Sequence, residues 1–127
     1  MSRSILILML TSAAFAVFAW LTVIANPSGD YLLRNVLPGL IAWSVLIYIL
    51  RRHPADQRWW LGWVGYCVPA IGLSAYLHLS FLLDWGELST RAVTPALLFR
   101  FLPFYVFFAG GIGFSIGWIV GRAMRRQ

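Results

Sequence analysis

Negative charge is scarce in this sequence. Only Asp30, Asp56, Asp84 and Glu87 are acidic, against ten arginines, and lysine is absent. A single cysteine, Cys67, excludes any disulfide within the chain, and with no base in reach its thiol is expected to be inert. The two histidines, His53 and His78, are expected at opposite ends of the molecule, too far apart to share a metal ion. No glycine-rich phosphate loop follows a strand pattern. The sequence therefore predicts no catalytic set, no metal and no cofactor.

What the chain has in excess is apolar surface. Hydrophobic residues make up 61% of its 127 positions and charged residues only 11%. A soluble domain of this size buries too small a fraction of its surface to hide so much. Four apolar runs, at about 5–25, 31–50, 59–83 and 96–121, are each long enough to cross about 30 Å of hydrocarbon. The expected fold is all-α, an integral membrane four-helix bundle forming one transmembrane domain over 1–127.

A cleaved signal peptide competes for the first run, because Ala14-Phe15-Ala16 resembles a small-residue cleavage site. The apolar stretch continues past it to Ala25, which favours an uncleaved first span. Breakers at Asn26-Pro27-Ser28-Gly29-Asp30 predict a turn, and Pro38 and Pro69 predict local kinks. Pro54 suits a first helical turn and Asp56 the positive end of the third helix, while Thr94-Pro95 reads as a cap followed by a helix start.

The arginines divide by end. Arg3, Arg51, Arg52, Arg58, Arg122, Arg125 and Arg126 fall at one side, and Arg34, Arg91 and Arg100 at the other with three of the four acids. The positive-inside rule then places both termini in the cytoplasm, N-in and C-in. Lysine-free, arginine-rich usage fits a bacterial protein of the inner (cytoplasmic) membrane. The basic character is that of membrane orientation and anionic headgroup contact, not of nucleic-acid binding.

Two sets of residues stand out. Gly110, Gly113, Gly117 and Gly121 recur along one stripe of the last helix, and Gly65 and Gly72 share one side of the third. Glycine stripes in membrane helices let backbones approach, so these six are expected to pack helices together. The third helix carries a second stripe of Cys67, Ser74 and His78, which predicts a central position with neighbours on both sides. No carboxylate falls in any span, which argues against a proton-coupled carrier. The remaining candidate is an outer-leaflet cluster of Arg34, His78 and Arg100, with Tyr31, Asn35 and Tyr76 nearby, which could converge on an anionic lipid headgroup.

The first span lacks the carboxylate that small multidrug exporters need, and the glycine pattern does not match that of fluoride channels. Phe99-Arg100-Phe101-Leu102 with Gly110-Gly111 is similar to a pattern of polysaccharide-flippase proteins, but in another part of the chain. The leading expectation is a non-enzymatic scaffold or accessory subunit of a membrane complex or homo-oligomer, with membrane lipids and other membrane chains as partners. The alternative is a small transporter or flippase-like lipid-handling protein.

Overall fold

Backbone that enters hydrocarbon must satisfy its polar groups within itself. Among the described residues this chain does so with helices and no strand. A computed structural model describes residues 3–25, 32–87 and 95–125. They form α1 (Arg3–Ala25), α2 (Leu32–Arg52), α3 (Gln57–Leu82), a short 3-10 turn (Trp85–Glu87) and α4 (Pro95–Met124). All four long helices are long and apolar enough to cross a membrane. The expected Asn26–Asp30 turn, Tyr31, Thr94, Arg91 and Arg126 lie outside the described residues.

Helix ends differ from the sequence expectation where a polar group sets them. Asp56 is in extended conformation and its carboxylate accepts the backbone N–H of Arg58, so α3 begins at Gln57, two residues before Trp59. Pro54 lies in the preceding turn, outside the helix. Trp60 Nε1 donates to the Pro54 carbonyl at 2.9 Å and ties that turn to α3. The start of α4 is at Pro95, the favoured first helical position.

The α3 helix packs against α1, α2 and α4, and its contact with α4 is by far the most extensive. Glycine makes that contact possible. A side chain on Gly113 would overlap the Gly65 carbonyl, one on Gly65 the Gly113 carbonyl, and one on Gly117 the Leu61 carbonyl. Where a Cβ would point at a carbonyl, the glycine points a Cα–H instead, and such contacts recur between closely packed helices. Pro69 adds a reason: having no N–H, it leaves the Gly65 carbonyl without its usual partner four residues on. That freed carbonyl is the one Gly113 meets.

Further out the seam changes character. Ala70, Phe99, Leu102 and Val106 form a buried cluster, with Tyr66, Leu73, Leu77 and Phe81 packed against it. The seam also migrates around α3, from Arg58 and Gly65 at one end to His78 and Phe81 at the other. Two helices that cross at an angle present a changing face to each other along their length, and Pro69 lies in the middle of this one. As a result Gly72 and Tyr76, on the Gly65 side by ideal geometry, swing out, and Tyr76 is 60% exposed. Ser74 and His78 swing in and are fully buried.

The α1 helix is held differently. Phe15 and Phe18 lie over Gly39 of α2, and Trp43 Nε1 donates to Ser12 Oγ at 3.1 Å. Only Phe18, Thr22 and Ala25 of its described residues are buried. Between α1 and α3, over α2, an apolar groove of about 510 Å3 stays open, with Phe15, Gly39, Trp43, Cys67, Ile71 and Gly72 in its walls.

Candidate functional site

Arg34, His78 and Arg100 stand in unlike surroundings. Arg34 on α2 and Arg100 on α4 are both exposed. The Arg100 guanidinium lies 5.9 Å from the Phe101 ring on its own helix. His78 is 0% exposed, with Phe99 of α4 edge-on to its ring at 4.9 Å. Its Nδ1 is 2.7 Å from the Ser74 carbonyl, so Nδ1–H donates there, and Nε2 has no partner among the described residues.

The helix register separates the three in depth. Tyr66 donates to the Pro38 carbonyl at 3.3 Å and Trp63 Nε1 to the Ala42 carbonyl at 2.7 Å, which aligns α2 with α3. Arg34 is about 6 Å beyond Pro38, whereas His78 is about 18 Å beyond Tyr66, at about 1.5 Å per residue. His78 is thus level with Arg100 and not with Arg34. No hydrogen bond, ion pair or ring contact joins any two of the three among the described residues. Asn35, beside Arg34 in sequence, turns inward; it is 1% exposed and both its amide atoms lack partners among the described residues.

The six glycines divide as well. Gly110 meets the Tyr66 ring and the Ala70 Cβ, and Gly121 lies against the Arg58 backbone, where a Cβ would be 2.7 Å from Cα. With Gly65, Gly113 and Gly117 they form the α3–α4 seam within this one chain. A Cβ on Gly72 would meet nothing within 4 Å among the described residues.

The most developed polar structure is at the opposite, arginine-rich end. Asp56 accepts from Arg58 Nε at 3.1 Å and Nη2 at 2.7 Å, and the same guanidinium sits 5.3 Å from the Trp118 ring. His53 stacks on Trp59 at 5.0 Å, and its Nε2 is 3.3 Å from the Tyr48 hydroxyl. Trp59 meets Trp118 edge-on at 4.9 Å, which ties the first turn of α3 to α4. The sequence pattern did not foresee that Tyr48 and Trp59 both pack on the His53 ring. The available signal was His53 five residues after Tyr48 and six before Trp59, across one tight turn.

Among the described residues no group of His, Cys, Asp and Glu could hold a metal. Fold and site define a class, an all-α chain of four helices with the dimensions and composition of a multi-pass membrane protein. Comparison with protein-family models, curated proteins and solved structures finds no match.

Proposed function

We propose that this chain is a non-enzymatic subunit of the bacterial inner membrane, with both termini cytoplasmic, that associates with other membrane chains or with copies of itself. One observation carries the reading: α4 has small residues left over after α3 is docked. Gly111 and Ser115, one turn apart, are exposed on a flank that α3 leaves uncovered, and a Cβ on Gly111 would meet nothing within 4 Å among the described residues. The Ser115 hydroxyl donates to the Gly111 carbonyl at 2.9 Å, so the flank offers close approach with no polar group demanding a partner. In lipid, where apolar area gives helices no reason to associate, such small-residue pairs favour contact. The arginine asymmetry supports the orientation.

Native mass spectrometry of the protein extracted in mild detergent tests this. Wild type is expected in a complex of fixed stoichiometry, and Gly111→Leu is expected to dissociate it while the monomer stays folded. A monomeric wild type, or a complex unchanged by Gly111→Leu, would overturn the reading. Reporter fusions after Gln127 and in the Asn26–Asp30 segment are expected on opposite sides of the membrane.

A further inference from the structure

Two clefts open on either side of the link between α2 and α3, and they differ in chemistry. The first, of about 430 Å3, is walled by Arg52, His53, Asp56, Gln57 and Arg125, with Gly121 beneath. The second, of about 510 Å3, is mainly apolar, with Ile7, Leu50, Trp60, Leu61 and Met124 in its walls and Arg3 beside them. Pro54, Ala55 and Gln57 belong to both walls, so the four-residue link and the first residue of α3 are all that separates them.

We propose that this pair of clefts is a binding site for an anionic phospholipid, the phosphate between Arg52 and Arg125 and an acyl chain in the adjoining apolar cleft. The charge balance favours an anion. Among the described residues Asp56 is the one carboxylate in the wall, and both its oxygens are taken by Arg58. Neither Arg52 nor Arg125 forms an ion pair among the described residues. The two guanidiniums come from the ends of different helices, α2 and α4, and a phosphate between them would accept paired N–H bonds from each.

The link is also fixed in place, unlike a loop of snorkelling side chains. The His53 N–H donates to the Ile49 carbonyl at 2.8 Å and the Asp56 N–H to the His53 carbonyl at 3.1 Å. His53 is stacked on Trp59, and Gly121 lets α4 sit directly on the first turn of α3. A headgroup would therefore meet a preformed wall. The phosphate chemistry alone would also suit a soluble phosphoester; the apolar cleft next door is what favours the lipid.

The experiment compares two double variants of equal charge. Arg52→Gln/Arg125→Gln removes the cleft arginines, whereas Arg51→Gln/Arg122→Gln removes two from the same end that do not line it. Retention of phosphatidylglycerol by the full chain in native mass spectrometry is expected to fall about tenfold or more in the first, the loss of charge-assisted bonds, and less than about twofold in the second. Equal losses in both would mean a diffuse field of charge and no site, and would overturn the proposal. So would unchanged retention in both. Circular dichroism of each variant establishes folding, and if the glutamine pair fails to fold, Arg52→Lys/Arg125→Lys replaces it, expected to weaken retention by losing the paired geometry. Glycerol phosphate is the second probe. It is expected to displace the lipid only weakly; displacement as strong as that by short-chain phosphatidylglycerol would assign the cleft to a soluble phosphoester and remove the acyl-chain half of the proposal.

Discussion

The two sides of α3 show two ways of holding helices together. Along the glycine half of the contact with α4, backbone meets backbone: Gly113 and Gly117 lie on the Gly65 and Leu61 carbonyls. Towards α1 and α2 the contacts are made by rings. Phe15 and Phe18 cover Gly39, Trp43 reaches Ser12, and Trp63 and Tyr66 reach carbonyls of α2. Where apolar burial gives no driving force, association rests on dispersion and on weak polar contacts, and both fall steeply with distance. Close contact and tolerance are therefore opposed. The seam has the shortest approach and nothing that can move aside; the α1 side has rings that can turn and a groove that remains open.

That contrast is most sharply broken by filling the seam. Gly117→Leu would drive a side chain into the Leu61 carbonyl, and only separation of the helices can relieve it. Overpacking costs about 1–3 kcal/mol where side chains can adjust, and more is expected where the obstacle is backbone. Thermal unfolding in detergent should show a large loss for Gly117→Leu. Ile119→Leu, at a site 65% exposed, should stay within about 0.5 kcal/mol of wild type. Equal behaviour of the two variants would mean that the close approach contributes nothing to stability.

A middle-sized effect is expected at Gly39. A Cβ there would meet the Phe18 ring at 2.8 Å, and a ring is the far end of a side chain. Gly39→Ala should therefore destabilise, and Phe18→Leu should restore part of the loss in the double variant, a coupling that a double-mutant cycle measures. The same logic denies rescue at the seam, because no second substitution removes the Leu61 carbonyl. Additive losses for Gly39→Ala and Phe18→Leu would erase the distinction between the two interfaces.

Much of this architecture is legible in the sequence because hydrophobic runs and glycine spacing are local. Four runs give four helices, and the stripe at Gly110, Gly113, Gly117 and Gly121 keeps its geometry whatever it meets. Gly72 and His78 were not legible. Which face of α3 meets α4 at a given height depends on the crossing of two helices, which a helical wheel assumes away. The proposed convergence of Arg34, His78 and Arg100 needs equal depth, and depth is set by the pairing of Pro38 with Tyr66, a contact between residues remote in sequence. The packing of Tyr48 and Trp59 on His53 forms across a tight turn, where no single periodicity applies.

Smaller effects are expected at the cap of α3, at the arginine-rich end of both interfaces. Asp56→Ala removes the acceptor for the Arg58 N–H and should cost about 1 kcal/mol, whereas Asp56→Asn keeps a capping oxygen and should cost less. Unfolding temperatures of the two variants give the comparison directly. Similar losses would mean that the ion pair, and not the cap, is what Asp56 contributes.

The smallest effect is expected in acid. The Arg58 side chain, bonded to both oxygens of Asp56, lowers its carboxyl from the ordinary 3.8 to about 2, helped by the Arg58 backbone N–H and opposed by partial desolvation. The folded chain thus takes up this proton less readily than the unfolded chain does. A group depressed in the folded state stabilises it fully above the unfolded value and stops doing so as pH falls through the folded one. The window is therefore about pH 4 down to about pH 2. Asp56→Asn keeps a capping oxygen and removes the titrating group. The stability advantage of wild type over Asp56→Asn should be constant from about pH 5 to pH 8 and shrink between about pH 4 and pH 2. An advantage that persists unchanged to pH 2 would show that the Arg58 pairing does not distinguish the folded from the unfolded chain. An advantage already fading near pH 6 would show that the Asp56 carboxylate is not the group responsible.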